Sequence, residues 1–256
     1  MRPVILVTND DGVEAKGITL LTEIMRSFGD VVVVAPKEVM SGMGHAVTVK
    51  TPLRVNRISS EDGFEKYSCN GTPADSVKLA EQVILRKKPD LLVSGINHGS
   101  NSAVNILYSG TMAAVIEGSI GGIPSVGFSL TDFSPNADFN SCEKYIRTIV
   151  ENILKEGLPR GICLNVNIPA IPGDEIKGIK VCKQGTAVWA EEFDERKDPR
   201  NRNYYWLTGV FHSFENGNDT DEWALANNYV SVVPVHYDLT AHHEISTINK
   251  WKLNAQ

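Results

Sequence analysis

The chain is poor in cysteine, and its four cysteines stand far apart: Cys69, Cys142, Cys163 and Cys182 form no Cys-x-x-Cys unit. That spacing excludes a zinc ribbon and offers no disulfide framework. It reads as buried thiols in a reducing compartment. No apolar run approaches the roughly 18 residues that a bilayer-spanning helix needs, so no membrane partner is expected. No block of Lys or Arg stands out, and 25 basic side chains face 31 acidic ones for a formal net charge of −6. Duplex nucleic acid demands a basic footprint and is not expected as a partner. A nucleotide is not excluded, because a metal and backbone N–H groups can meet its phosphate. The apolar run Pro3–Val7 is too short for a signal-peptide core, and a cytoplasmic location is expected. Internal repeats and low-complexity segments are lacking too.

What is present is an ordinary globular composition, 42% hydrophobic and 22% charged, in a chain long enough for one large α/β domain. The run Pro3-Val4-Ile5-Leu6-Val7 reads as a buried strand that stops at Thr8-Asn9-Asp10-Asp11-Gly12, where a turn begins. Two adjacent carboxylates therefore sit on the lip of a strand. They repel unless a cation lies beside them, and a hard divalent ion is the usual remedy. The plainer alternative is a solvated turn in which the Asx side chains bond their own backbone.

Further along, Leu20, Leu21, Ile24, Met25 and Phe28 follow a helical spacing from Gly17, with Gly29 placed to end the helix. Val31–Ala35 suits a strand covered on both faces. Residues 46–68, with Asp62-Gly63, suggest a β-hairpin excursion. Thr72-Pro73-Ala74-Asp75 carries a capping signal for a helix to about Arg86. A strand over 90–94, a helix over Thr111–Ile120, a strand over Ser125–Leu130, a helix near Phe139–Lys155 and a strand over Ile162–Ile168 follow. This alternation predicts a mostly parallel sheet with helices on both faces. After Pro172, strands are expected at 177–183, 203–211 and 229–234 and a short helix at 221–228. Glu191–Arg202 is expected as an exposed loop or arm.

In a parallel sheet the loops after the first, second and third strands share one edge, where ligands bind in open α/β sheets. Asp10, Asp11, Ser41 and Asn97 can therefore converge. They offer only hard oxygens, which suits one Mg²⁺, Mn²⁺ or Ca²⁺ and not zinc. Ser109-Gly110-Thr111 opens a helix, and its free N–H groups and hydroxyls make a candidate phosphate site, compatible with a plain N-cap. Asn9 and Asn101, on the same loops, complete the candidate substrate contacts. His45 and His98 flank the site, and His242-His243 lies in the tail; all are expected to be solvated. Tyr204-Tyr205-Trp206 reads as packing or as a surface for a base, and Arg200 as a phosphate or subunit contact.

Taken in order, Asn9-Asp10-Asp11-Gly12, Ala35-Pro36 with Ser41-Gly42, Gly71-Thr72-Pro73-Ala74-Asp75, Ser94-Gly95-Ile96-Asn97 with Gly99 and Asn101, and Tyr108-Ser109-Gly110-Thr111 resemble the SurE (survival protein E) family. So do Asn165-Val166-Asn167-Ile168-Pro169, Asp198-Pro199-Arg200 with Tyr204-Tyr205-Trp206, and Asp238-Leu239-Thr240. The resemblance implies a three-layer αβα Rossmann-like core over 1–172, completed within a single domain of 1–256 by oligomerisation elements in 173–256. It implies a metal-dependent nucleotidase acting on nucleoside 5′- and 3′-monophosphates, with Asp10, Asp11, Ser41 and Asn97 as ligands to one divalent ion per subunit. It also implies a homodimer, or a tetramer, built through C-terminal elements. Two positions depart from the family pattern: Ser76 stands where Cys is frequent, and Asn201 where Gly is frequent.

The expected chemistry is phosphomonoester hydrolysis by metal-activated water, with Asp10 and Asp11 as the catalytic pair. An aspartyl-phosphate mechanism is the rival within enzymes, but it favours Asp-x-Asp over adjacent carboxylates. A nucleotide-binding regulatory module without turnover is the rival outside them. The apolar tail residues Leu239, Ile245, Ile248 and Trp251 are expected to seek a second copy of the chain.

Overall fold

A computed structural model describes residues 2–214, 217–251 and 253; what was expected of the tail at 252 and 254–256 lies outside the described residues. The first half alternates as the periodicity predicts. Strand β1 (Val4–Thr8) leads to helix α1 (Lys16–Arg26), then β2 (Asp30–Pro36), the hairpin β3 (Val55–Glu61) and β4 (Phe64–Cys69), and α2 (Pro73–Leu79). Then come β5 (Leu91–His98), α3 (Gly110–Ile120), β6 (Ser125–Leu130), α4 (Glu143–Glu156) and β7 (Ile162–Ile168). Strand β8 (Gly178–Val181), the pair β9 (Ala187–Lys197) and β10 (Asn203–Ser213), helix α5 (Asp221–Ala226), strand β11 (Tyr229–His236) and a last turn of helix, α6 (Ile245–Ile248), follow.

Nine strands form one sheet in the order β3-β4-β2-β1-β5-β6-β7-β11-β8. Pairing is parallel except at β3–β4 and β11–β7. Alternation along each strand sends residues to opposite faces. Ile5, Val7, Val31 and Val33 join α1 and α4 residues such as Leu21, Met25, Ile146 and Val150 in one core. Leu6, Val32, Val34 and Leu92 join Val77 of α2 and Met112 and Val115 of α3 in the other. The result is the three-layer αβα arrangement. Sheet residues from 229–236 pair directly with β7, so the C-terminal third supplies part of the same sheet.

Several local expectations change. The hairpin forms, but it is no excursion: β4 pairs in parallel with β2 from Val31↔Phe64 to Pro36↔Cys69 and extends the main sheet. The strand after Asp90 does not stop at Ser94; it runs to His98, because Asn97 and His98 pair with Ser129 and Leu130 of β6 after a register shift. The helix from Thr72 has its full capping box with Asp75, yet turns π-helical over Ala80–Leu85. Helix α1 ends at Arg26 with Ser27 as its C-cap, and Gly29 closes the last turn as expected by donating to the Met25 carbonyl at 3.1 Å, its bare Cα lying against Pro3.

The charged stretch Glu191–Arg202 is not a loop. It continues β9 to Lys197 and turns into β10, and the two strands pair from Asn203↔Lys197 to Ser213↔Ala187 as a separate exposed ribbon. Asn201, at the position where glycine is frequent, has φ +60°; asparagine is one of the few side chains that tolerate this region. Ser76, the other departure, is buried between Cys69 Sγ at 3.2 Å and the Thr72 carbonyl, to which it donates at 3.0 Å.

Candidate active site

The end of β1 and the first turn of α3 meet at Asp10. Its carboxylate is 3% exposed and accepts the Thr111 hydroxyl at Oδ1, 2.5 Å away. The Asp10 carbonyl accepts from Met40 N at 2.8 Å, which brings the loop carrying Ser41 to the same place. Gly110 makes this closeness possible. A Cβ there would stand 2.7 Å from Asp10 Cβ and 3.0 Å from Oδ2. Ser109 caps the helix by accepting Met112 N at 3.0 Å, so the expected N-cap and the proximity to the carboxylates coexist.

Asp11 lies on the other side of the turn. Its Oδ2 accepts the His98 backbone N–H at 3.3 Å, and the Ser41 hydroxyl is near enough to favour its charged form. Asn97 donates its amide to the carbonyls of Gly99 at 2.8 Å and His98 at 3.1 Å, so its own carbonyl oxygen remains an acceptor. Asn9 donates its amide to the Gly12 carbonyl at 2.9 Å and fixes the turn, while its Oδ1 is buried with no protein donor. All four proposed ligand residues thus lie on segments that meet at this one edge, three on loops and Asn97 at the end of β5.

The electrostatics fit a cation. Burial, then the neighbouring charge of Asp11, pushes Asp10 up to about 6 despite the bonds from Thr111. Burial also raises Asp11, against the backbone bond and the charge of His98 and the hydroxyl of Ser41. Among the described residues neither carboxylate has an ion pair with Lys, Arg or His. Two adjacent carboxylates, Asp10 buried and Asp11 half-buried, with hydroxyl and amide oxygens beside them form a hard-oxygen donor set, and an orphaned buried carbonyl at Asn9 adds to it. Zinc-type clusters of three or more His, Cys, Asp or Glu are absent among the described residues.

Asn101 is committed elsewhere. Its amide donates to Ser129 Oγ at 2.8 Å, its N–H to Asn167 Oδ1 at 2.7 Å, and its carbonyl accepts from Asn165 Nδ2 at 2.8 Å. A second fastening lies behind it, where buried Asp221 accepts from the N–H groups of Ala103 and Gly185, both at 2.8 Å. Asn165, Asn167 and Asp221 carried no assigned role in the sequence. Asn165 and Asn167 did leave a signal: two amides two apart in an apolar strand share one face, and buried amides need partners.

His45, His242 and His243 are exposed as expected and His98 is half-buried, but His45, His98 and His242 each have a partner. His45 meets Glu117 of α3 at 2.9 Å, His98 contacts the Ser134 carbonyl at 3.1 Å and packs edge-on to Phe139, and His242 pairs with Asp238 at 2.8 Å. A carboxylate partner close in space was invisible in the spacing for His45, since Glu117 is 72 residues away. Tyr204, Tyr205, Trp206 and Arg200 belong to the ribbon and its turn, apart from this cluster of loops.

Known proteins resemble this chain over nearly its whole length. The profile of the family described as "Survival protein SurE" matches residues 5–191. A protein named 5′-nucleotidase SurE from Christiangramia forsetii is 57% identical over 255 residues, 99% of this chain and 98% of that protein. One of the same name from Flavobacterium psychrophilum is 54% identical over 99% of each chain. The crystal structure of the SurE protein from Aquifex aeolicus superposes with a TM-score of 0.83 at 43% identity, covering 96% of this chain and 98% of that one.

Proposed function

Because this chain belongs to the SurE family, we propose that it is a divalent-metal-dependent phosphomonoesterase that hydrolyses nucleoside 5′-monophosphates, and 3′-monophosphates as well, to nucleoside and phosphate. The observation that carries this reading is the adjacent pair of buried Asp10 and half-buried Asp11, neither in an ion pair among the described residues, with Asp10 against the first turn of α3. The names of the relatives support a nucleotide as substrate.

Asp10, Asp11, Ser41 and Asn97 would hold the ion. Bound there, a divalent ion supplies Lewis-acid polarisation of a phosphate oxygen and lowers the pKa of water. The protein's own part is orientation. Thr111 keeps one oxygen of Asp10 occupied and so fixes which face of the carboxylate turns to the site. The Ser109–Gly110 turn presents the positive end of α3 to an anion, and charge building on the transferring phosphoryl group is met by those fixed dipoles. Asn9 and Asn101 hold the turn and the adjoining loop. Asp11, bonded by the His98 N–H and close to the Ser41 hydroxyl, is the carboxylate that would steer the attacking water or take its proton.

We place the enzyme in a homodimer, or a tetramer, assembled through the tail and the ribbon. Leu239 is 84% and Trp251 59% exposed, and the ribbon exposes Phe193, Trp206 and Leu207. Isolated two-stranded ribbons are marginal in water, and apolar surface of this extent marks an interface. The acidic balance and the absence, among the described residues, of a helix long enough to cross a membrane fit a nucleotide enzyme working in the cytoplasm.

Phosphate release from a panel of nucleoside monophosphates, with Mg²⁺, Mn²⁺ or Ca²⁺ and with chelator, tests the reading. Turnover with added ion, none after chelation, and a loss of at least about 10²-fold in Asp10→Asn or Asp11→Asn are expected. Metal-dependent binding of nucleotide without phosphate release would favour the regulatory module instead.

A further inference from the structure

The loop that follows β6 carries an aromatic ring to the rim of the site. Phe133 is 71% exposed, although loop residues on both sides of it are pinned. Thr131 N bonds the Ile168 carbonyl at 3.0 Å, Ser134 N bonds Asp132 Oδ1 at 2.7 Å, and the Ser134 carbonyl meets His98 Nδ1 at 3.1 Å. The ring itself rests on Gly99. A Cβ on Gly99 would stand 2.1 Å from Cε1 and 2.4 Å from Cδ1 of Phe133, so only glycine, here at φ +94°, leaves the ring its seat.

Gly99 is also the residue whose carbonyl fixes Asn97. Its Cα lies at most about 7 Å from that of Asn97, two residues along the chain. His98, between them, reaches Asp11 through its backbone and the Phe133 loop through its ring. An open aromatic surface is thus coupled through direct contacts to two of the four proposed metal ligands. Single exposed aromatics are common and need no explanation. This one differs in resting at the edge of a polar site on a glycine whose missing side chain gives the ring its room and whose φ of +94° disfavours any other residue.

We propose that Phe133 is a stacking platform for the base of the nucleotide whose phosphate is held at Asp10, Asp11 and the start of α3, and so a determinant of nucleotide over simpler phosphate esters. The proposal rests on the nucleotidase reading above. Stacking tolerates any base, since every base has a π-face, so Phe133 confers preference for nucleotides as a class and little choice among purines and pyrimidines. Tyr108, exposed beside Ser109, is the rival ring.

The test separates base from phosphate. Affinities for AMP and for ribose 5-phosphate are measured by calorimetry with Ca²⁺ or Mg²⁺, alongside phosphate release, for the full-length protein and for Phe133→Ala, Phe133→Trp and Tyr108→Ala. Phe133→Ala should weaken AMP about tenfold and leave ribose 5-phosphate within about twofold. Phe133→Trp should restore AMP binding, and Tyr108→Ala should leave the ratio of the two affinities unchanged. An unchanged ratio in Phe133→Ala, an equal loss for both ligands, or a ratio that collapses in Tyr108→Ala instead would each overturn the platform. Phosphate release reports separately on the hydrolase reading. A protein with no turnover but a tenfold fall in the affinity ratio would retain the platform and lose the enzyme.

Discussion

Thr111 donates its hydroxyl hydrogen to Asp10 across 2.5 Å, joining two residues that stand 101 positions apart in the chain. The sequence suggested Thr111 as a phosphate contact. Its one hydroxyl hydrogen is already engaged with Asp10, so in the proposed site the side chain would orient a carboxylate and leave the phosphate to the backbone of the turn and to Ser109.

Replacement at this contact should therefore read out in catalysis. Thr111→Val keeps the shape and removes the donor; we expect kcat to fall about 10-fold or more with little change in KM. Thr111→Ser, which retains the hydroxyl, should recover most of the rate. A Thr111→Val enzyme with unaltered kcat would refute the orienting role.

Gly110→Ala tests the closeness of helix and carboxylate. The added methyl would stand 2.7 Å from Asp10 Cβ, too close without a shift of backbone. Overpacking of this kind costs about 1–3 kcal/mol. Activity should drop by about 10²-fold or more, since the donors at the helix end move away from the transferring group. Steady-state kinetics and thermal melts on the same preparation separate the two effects.

The burial of Asp10 sets a pH signature for the metal-free protein. Its folded value of about 6 lies above the ordinary 3.8, so the folded state holds the proton more tightly. The stability that goes with the protonated form is fully present below about pH 4 and is lost as pH rises through 6. Asp10→Asn removes that penalty. In chelator at pH 7.5 or above, the variant should be more stable than the parent by roughly 1–3 kcal/mol, and near pH 4 the difference should vanish. Urea unfolding across that range measures it; a variant less stable than the parent at high pH would be the contrary result.

All four cysteines are free and buried. Burial pushes Cys142 and Cys163 up to about 12, so little thiolate forms at neutral pH. Thiol reagents should react slowly with the native protein and should find four thiols after denaturation without reductant. Fewer than four would contradict the reduced state.

Deleting the tail after Asp238 removes Leu239, Ile245, Ile248 and Trp251, which are exposed on a single chain. Sedimentation at micromolar concentration should show a homodimer or larger for the full chain and dissociation for the truncated one. A full-length monomer would mean that the tail serves no assembly.

The sequence made the frame legible where local chemistry and fold agreed. Val31–Ala35 could only be a strand buried on both faces, and Thr72 with Asp75 could only open a helix. The convergence of Asp10, Asp11, Ser41 and Asn97 followed from strand ends sharing one edge. What escaped depended on partners distant in sequence. Glu191–Lys197 looked like a loop because its charges mask a strand that has water on both sides and pairs only with 203–213. Asn97 looked like a loop residue because its ladder partner Ser129 is 32 positions away. The seat of Phe133 on Gly99 has no local signature at all.

The fastening of the loop at 99–103 has a consequence in time. Every proposed metal ligand and the proposed phosphate turn have been synthesised once Thr111 has been added, and N-terminal segments fold first during synthesis. Yet the loop between Asn97 and the phosphate turn is tied by Asn165 and Asn167, and then by Asp221. A nascent chain of two hundred residues therefore holds all the proposed site residues without the Asp221 tie, and the loop gains its last fastening only when α5 emerges.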